Sequence, residues 1–293
     1  MKKMMTLFAT TSLIVTVIGG CGKASAPDNI MKSKSADPPV TMQATGVPPV
    51  SGLSAAQQQF RTELIKKYGN QTPTRWGENV PGVLTRMVTN DKVIALTFDA
   101  CGGTGGSGYD RVLIDYLIKE SVPATLFINA RWIDANPQTF MLLAKNHLFE
   151  IENHGYLHRP LSVKGNAAWG ISGTKNVGEV VDEVLINTMK IQKLTGRRPI
   201  FFRSGTAFYD EVSTKIVNDL GLSAVNFSVL GDAGATFNQS QIKNALLSSK
   251  NGSVVICHMN HPEKATAKGV MAAIPDLKRR GFRFVKLTTY PLM

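Results

Sequence analysis

Apolar runs and amphipathic segments alternate along the chain from residue 92 onwards. The short apolar runs predict strands, because they are rich in β-branched and aromatic residues and are bounded by turn-forming residues. Strands are predicted at residues 92–98, 124–130, 148–153, 199–203, 223–229, 253–258 and 282–288. Helical periodicity occurs between them, at residues 109–120, 137–146, 177–195, 210–220, 239–249 and 268–280. Strands that alternate with helices predict an α/β fold with a parallel sheet or barrel.

The first twenty residues have a different pattern. Two lysines precede an apolar run over residues 4–18, and the sequence Ile-Gly-Gly-Cys then ends at Cys21. Because the run is too short to span a bilayer comfortably, we interpret residues 1–20 as a secretory signal peptide. The ending resembles the lipobox of bacterial lipoproteins, which implies that Cys21 is acylated and anchors an extracytoplasmic protein to the membrane. An ordinary signal peptide with a chance cysteine is the alternative.

Three segments of different character follow the signal peptide. Residues 21–53 are rich in Pro, Ser and Ala and bury too little apolar surface to fold, so we predict a linker. Residues 54–89 are predicted to be a helical N-terminal extension, with a helix that begins behind a Ser54 cap. The apolar positions of that helix are Phe60, Leu64 and Tyr68. Residues 90–293 contain the alternating strands and helices and are predicted to be the main domain.

The chain of 293 residues has a formal net charge of +12. A basic balance suits an anionic surface, such as a phosphate-rich cell wall or lipid headgroups, and it equally suits nucleic acid. The sequence has neither a block of Arg and Lys nor basic residues interleaved with aromatic ones, and export argues against nucleic acid, so we predict no nucleic-acid partner. Besides Cys21 the chain has Cys101 and Cys257. They are predicted to be small buried side chains, although an exported chain could join them.

Residues with chemical potential follow directly after apolar strands. Asp99 ends the run that begins at residue 92, His154 and His158 follow the third predicted strand, and His258 ends the sixth. The carboxyl ends of parallel strands meet at one rim, so we expect these four side chains to lie together. Histidine is the commonest neutral nitrogen ligand for zinc-like ions. The other two histidines, predicted on the surface, are His147 and His261.

Five segments, in order, resemble the motifs of one enzyme family. They read TFDACGG, EIENHGYLHRP, FFRSGTAFYD, NFSVLGDAGATF and ICH. Their order and spacing resemble those of the polysaccharide deacetylases, the carbohydrate esterases (family 4) with the nodulation-protein-B homology domain, over roughly residues 90–290. The resemblance implies an irregular (β/α) barrel, here with about seven parallel strands.

The resemblance also implies a role for each motif residue. Asp99 would be the general base that deprotonates the attacking water, and His258 the general acid that protonates the departing amine. His154 and His158 would hold a divalent metal ion, with zinc expected first and cobalt or manganese as alternatives. Arg203 would orient Asp99, and Asp232 would orient His258. The backbone N–H near Thr206 would stabilise the oxyanion.

The chain departs from the family pattern at two places. The family's second aspartate, usually a metal ligand, is replaced by Ala100, so the ion is either held more weakly or held by a substitute such as Cys101. Against Cys101, neighbouring residues on an extended strand point to opposite sides. The arginine segment lacks the family's proline and Tyr-Gly, which leaves its substrate contacts open. Trp169, in a glycine-rich loop, could stack on a sugar or anchor into its own domain.

We therefore expect a metal-dependent enzyme that removes N-acetyl groups from an extracytoplasmic glycan. The expected partners are the membrane, through the lipid anchor, and peptidoglycan or a poly-N-acetylglucosamine or chitin-like polymer or oligomer. The protein is expected to be a monomer. Two alternatives remain open at this point: a non-catalytic glycan-binding lipoprotein of the same fold, and an amidohydrolase for a small non-sugar amide.

Overall fold

The computed structural model describes residues 53–293. The predicted signal peptide, the lipidation candidate Cys21 and all but the last residue of the predicted linker lie outside the described residues. From residue 53 to residue 293, none of the helices combines the length and the apolar character that a bilayer crossing needs.

One curled parallel sheet is the centre of the fold. The strands are β1 (Trp76–Gly77), β2 (Val83–Leu84), β3 (Val93–Ala100), β4 (Ala124–Ile128), β5 (Phe149–Asn153), β6 (Phe201–Phe202), β7 (Tyr209–Asp210), β8 (Ser223–Val225), β9 (Val229–Leu230), β10 (Ser253–His258) and β11 (Arg283–Phe284). Nine of them form the sheet, in the order β2-β8-β6-β5-β4-β3-β10-β9 with β11 beside β3. Each of its pairings is parallel, whereas β1 and β7 pair antiparallel outside it. The predicted α/β fold is confirmed, as a half-barrel in which β2 and β9 are the two ends.

In the described residues, seven of the eight α-helices match predicted ones, and the helix at Ala130–Ala135 was not predicted. They are α1 (Ala55–Tyr68), α2 (Arg111–Lys119), α3 (Ala130–Ala135), α4 (Pro137–Lys145), α5 (Val177–Thr195), α6 (Glu211–Asp219), α7 (Gln239–Leu247) and α8 (Thr266–Arg279), followed by a short 3₁₀ helix at Leu287–Thr289. The strand predicted over 124–130 was too long. It ends at Ile128 because the Asn129 side chain accepts a hydrogen bond from the Arg131 backbone N–H and caps α3.

Strand β3 shows how the sheet separates the core from the site. All eight of its residues are buried. Phe98 and Ala100 pack into the large apolar cluster beneath the outer helices, while Val93 and Ala95 pack into a second cluster on the other face. Because side chains alternate along a strand, Asp99 continues the row of Val93 and Ala95 and points into the half-barrel.

The N-terminal helix α1 forms as predicted, with a capping box at Ser54, but the predicted buried face was wrong at one position. Phe60 is 38% exposed, whereas Leu64 and Tyr68 are buried. The buried residue of the preceding turn is Arg61, whose guanidinium donates two hydrogen bonds to the Asp182 carboxylate on α5. The ion pair of Arg61 with Asp182 is therefore buried at the turn of the helix where the apolar pattern predicted a buried Phe60.

Buried polar side chains hold the loop that follows β5 and carries two of the candidate histidines. Glu183 of α5 is 2% exposed, and its carboxylate accepts hydrogen bonds from the backbone N–H groups of Leu157 and Arg159. Burial raises the pKa of Glu183, and these hydrogen bonds act in the opposite direction. From the other side, the Asn129 amide donates to the carbonyl of His154. The loop backbone is thus fixed by side chains of two other elements.

Replacing Glu183 by Ala is expected to lower the free energy of unfolding by about 1–3 kcal/mol, because buried N–H groups of the loop lose their acceptor. Glu179→Ala, on the same helix, is the matched control. Its carboxylate pairs with Arg159 at the surface, with both side chains about one third exposed, so the expected cost stays below about 1 kcal/mol. Urea unfolding of the full chain measures both values. Equal costs for the two variants would show that Glu183 does not hold the loop.

Candidate active site

The four residues expected at the rim of the sheet do lie around one cleft. Asp99 and His258 are direct partners in the register of β3 and β10, so their side chains leave the sheet next to each other. Asp99, His158 and His258 all line the cleft, and His154 lies just behind them with 1% exposure. The structure thereby brings together residues that are 159 positions apart in the sequence.

Asp99 is held by a buried arginine. An Arg203 Nη1 donates to Asp99 Oδ1 at 2.7 Å and to the Thr97 hydroxyl at 2.8 Å. The side chains of both members of the ion pair are 3% exposed or less. The second carboxylate oxygen, Oδ2, lies 3.6 Å from His154 Nε2. Arg203 therefore fixes the orientation of Asp99, while one oxygen stays directed at the histidines.

His258 is held in the same way by Asp232. The ring Nδ1–H donates to Asp232 Oδ1 at 2.8 Å, and the backbone N–H of His258 donates to Oδ2 at 2.7 Å. Thr266 donates a further hydrogen bond to the fully buried Asp232. Burial by itself would lower the pKa of His258, but the Asp232 carboxylate outweighs it, and the pKa lies well above the usual value of histidine. His258 is thus kept protonated, with Nε2 left for the cleft.

The two histidines of the loop after β5 lie next to each other. His154 Nδ1 lies 2.9 Å from the carbonyl oxygen of Arg203, which can only accept, so Nδ1 carries a proton, and Nε2 faces Asp99 and Cys101. The rings of His154 and His158 stand edge to face, with centroids 4.8 Å apart. His158 Nε2 is buried and has no hydrogen-bond partner. A Cβ at Gly205 would overlap the backbone of His158, so this close approach requires glycine.

The donor set at this point fits a divalent metal ion. Within residues 53–293, one group of three potential ligands is present: Cys101, His154 and His158, with ligand atoms within 4.8 Å of one another. Two imidazole nitrogens, one of them buried and unpartnered, are donors that zinc-like ions prefer. Burial would raise the pKa of the Cys101 thiol, but the neighbouring histidines, His158 foremost, hold it well below its usual value.

Other expected residues are found at the edge of the same cleft. The Thr206 hydroxyl is buried without a partner and lines it. Trp169 lines it too, 77% exposed and edge-on to Phe208, so it is not anchored in the core. His147 is on the surface as predicted, but the prediction for His261 was incomplete, because it is half-buried and lines the cleft. The two cysteines of the described domain, Cys101 and Cys257, are free.

Sequence reasoning missed several residues that line the cleft. They are Glu78, Arg131, Phe227, Leu230 and Asn260. Most lie in loops or two-residue strands, where no periodic pattern marks them. No sequence pattern marks Glu78 as a residue of the cleft. In the structure, burial raises the pKa of its carboxyl group. Glu183 could have been found, because a carboxylate on the apolar face of a predicted helix needs a partner.

The rim of the cleft is built from strained backbone. In the described part of the chain, six residues other than glycine have positive φ, and four of them line the cleft. These four are His158 (φ 61°), Trp169 (53°), Ala207 (60°) and Ala233 (49°). Such conformations are uncommon for residues with a side chain, and they collect where neighbouring structure fixes a functional geometry.

Sequence comparison supports the family that the motifs indicate. Residues 86–225 match the model of the family described as polysaccharide deacetylase. The bifunctional xylanase/deacetylase of Pseudobutyrivibrio xylanivorans is 24% identical over 200 residues, 68% of this chain and 30% of that protein. The peptidoglycan-N-acetylglucosamine deacetylase of Bacillus cereus is 24% identical over 211 residues, 70% of this chain and 91% of the relative. The chain thus spans less than a third of the first relative and most of the second.

Solved structures show the same fold. A carbohydrate esterase family 4 pseudoenzyme from Bacillus anthracis superposes with a TM-score of 0.61 at 18% identity, covering 80% of this chain and 81% of that one. A family 4 acetyl xylan esterase from Clostridium thermocellum, solved with a cobalt ion, gives 0.54 at 23% identity, covering 67% and 89%. Since a pseudoenzyme and a metal-bound esterase share the fold, the side chains decide the activity. Residues 86–225 thus match the family described as polysaccharide deacetylase, and the half-barrel is the fold that these solved structures share.

Proposed function

We propose that the protein is a metal-dependent deacetylase that hydrolyses the N-acetyl groups of a glycan. One observation carries the proposal. Asp99 and His258 are paired across adjacent strands, each is oriented by its own buried partner, and both face the His154–His158 pair in one cleft. A base and an acid on either side of one reacting group are what amide hydrolysis requires.

The two groups have opposite tasks. Asp99, oriented by Arg203, takes a proton from the attacking water. His258, kept protonated by Asp232, gives a proton to the nitrogen, because an amide anion is a very poor leaving group. A guanidinium lies beside Asp99 and a carboxylate beside His258, and this difference supports the roles of base and acid.

His154 and His158 would hold the metal ion, through Nε2 of His154 and the unpartnered Nε2 of His158. The chemistry that a divalent ion supplies when bound is a water of lowered pKa, near ~7, and a polarised carbonyl. Zinc suits two imidazoles best, with cobalt or manganese as substitutes. The backbone N–H near Thr206, at the edge of the cleft, would stabilise the oxyanion.

A polymeric glycan is the proposed substrate. The cleft is open at its rim, where Trp169 offers an exposed aromatic face of the kind on which sugars stack. Relatives over this region are named for peptidoglycan and xylan substrates, and we propose an N-acetylated cell-wall glycan, peptidoglycan or poly-N-acetylglucosamine, for this chain. A lipid anchor at Cys21 would hold a monomeric enzyme at the outer face of the membrane, within reach of such a polymer.

Asp99→Asn and His258→Ala are each expected to lower the rate of acetate release by about 10²–10⁴-fold, the usual contribution of a general base or acid. The measurement is acetate release by the purified full chain, with and without added zinc, cobalt or manganese. Parallel substrates are peptidoglycan, chito-oligomers, an O-acetylated xylan and a simple N-alkyl acetamide. We expect release from the N-acetylated glycans.

Matched controls are Asp115→Asn and His147→Ala, which change the same residue types at the surface and should retain full activity. Thermal unfolding of each variant checks the fold, because Asp99→Asn leaves Arg203 without its counter-charge. Activity that survives both cleft substitutions would refute the mechanism. Glycan binding without any acetate release would favour a non-catalytic binding protein, and release from the simple amide alone a small-amide hydrolase.

The pH profile gives a separate test of the acid. Asp232 raises the pKa of His258, so Asp232→Asn should lower that pKa. Since the acid must be protonated to act, activity is lost as pH rises through its pKa, and the alkaline limb of kcat/KM should move to lower pH in the variant. The profile is measured with the most active substrate. An unchanged alkaline limb would mean that His258 is not the titrating acid.

Cys21→Ser tests the membrane anchor. Acyl chains contribute about 0.8 kcal/mol of membrane affinity per buried methylene, so the variant should leave the membrane fraction and lose incorporation of labelled fatty acid. Cell fractionation of the full chain measures this. Cys257→Ser, at a buried cysteine of β10, is the control and should remain with the membrane. Identical fractionation of wild type and Cys21→Ser would contradict the anchor.

A further inference from the structure

Position 100 cannot supply a metal ligand in this chain. Ala100 is fully buried, and it packs with Phe98 into the apolar cluster beneath the outer helices, on the far side of β3 from Asp99. The methyl group of an alanine offers no ligand atom to an ion near His154 and His158. The ligand that completes the site must therefore come from another position.

Cys101, the residue after Ala100, lies beside the two histidines. Strand β3 ends at Ala100, so Cys101 is the first residue of the turn. Alternation puts Cys101 on the opposite side of the chain from Ala100, and therefore on the same side as Asp99. Gly102 and Gly103 follow at φ 70° and 81°, and the Gly102 N–H donates to the carbonyl of Gly106. A Cβ at Gly102 would meet the Trp132 backbone nitrogen at 2.5 Å, so glycine is needed there.

The thiol lies at ligand distance from both histidines. Cys101 Sγ is 3.8 Å from His154 Nε2, and all three ligand atoms lie within 4.8 Å of one another. Zn–S and Zn–N bonds of about 2.3 and 2.0–2.1 Å at a tetrahedral angle place sulfur and nitrogen about 3.6 Å apart. The observed separation of 3.8 Å is close to that value. His158 Nε2, buried and without a partner, is the third donor of the set.

We infer that Cys101 is the third protein ligand of the metal ion, a thiolate in place of the carboxylate that position 100 lacks. The inference rests on the proposed metal-dependent function and specifies its site as Cys-His-His. On binding, the Cys101 thiol releases its proton to solvent and the sulfur forms the bond to the ion. The remaining position of a four-coordinate site stays open for water or substrate.

The neighbouring carboxylates are already engaged. Asp99 Oδ1 is bound to Arg203, which leaves only Oδ2, at 3.6 Å from His154 Nε2. Asp232 is turned toward His258, and its second oxygen accepts from the His258 backbone and Thr266. Ligation by Asp99 in place of Cys101 is the rival that the experiment must separate.

The test uses the purified full chain loaded with cobalt, because a thiolate ligand gives an intense near-ultraviolet charge-transfer absorption that carboxylate and imidazole ligands do not. Wild type should bind one cobalt or zinc ion and show the band. Cys101→Ser should lose the band and bind zinc at least about 100-fold more weakly in chelator competition, the upper end of the cost of losing an outer-shell partner. Cys101→Asp should bind the ion without the band.

Cys257→Ala is the matched control, since it removes the other cysteine of the described domain, and it should keep both the band and the affinity. Because Cys21 is present in every variant, it cannot account for a difference among them. A wild-type cobalt protein without the band, or a Cys101→Ser variant with unchanged band and affinity, would overturn the inference.

Acetate release by the same samples separates this inference from the proposed function. If wild type shows the band and no deacetylation of any substrate, the ligand assignment stands and the function is wrong. If acetate release depends on His154 and on added metal but the band is absent, the function stands and Cys101 is not a ligand. Wild-type protein that binds no metal at all overturns the ligand assignment.

Discussion

A guanidinium without access to water organises the interior of the half-barrel. Arg203 is fully buried, and it donates to Thr97 and Asp99 on β3 and to the carbonyl of Val225 on β8. Its carbon Cζ also lies 4.1 Å from the centre of the Phe127 ring on β4. An uncompensated buried charge costs several kcal/mol, so the ion pair of Arg203 with Asp99 is a requirement of the fold, whatever its part in the proposed chemistry.

The same design is repeated at every reacting group. His258 is bound by Asp232 on another segment, His154 by the Arg203 carbonyl, and the loop of His158 by Glu183. Each partner is buried, so water does not compete for these hydrogen bonds. The groups are therefore already oriented, and the proposed reaction would need little reorganisation of the cleft. Asp99 and His258 lie on strands, and side chains of other elements fix the loop that carries the two remaining histidines.

The sequence predicted the parts of the site that follow from strand periodicity. Asp99 and His258 end long apolar runs, and parallel strands bring such ends to one rim, so their meeting could be expected. Phe60 was assigned to the wrong face because one fourfold spacing fits several helix faces, and only the contact of Arg61 with Asp182 selects among them. Cys101 could not be assigned, because alternation alone does not say where the strand ends and the turn begins.

The strained residues around the cleft have a thermodynamic consequence for the whole domain. Four side-chain-bearing residues at its rim are held at positive φ, and each such conformation costs of the order of 1–3 kcal/mol. A sum of that size is comparable to the entire net stability of an ordinary domain, about 5–15 kcal/mol. Glycine at Ala207 or Ala233 would relieve part of the strain and at the same time release the loop. In this protein, a change that relieves the backbone strain would raise the thermal stability of the domain but would loosen the geometry of the cleft.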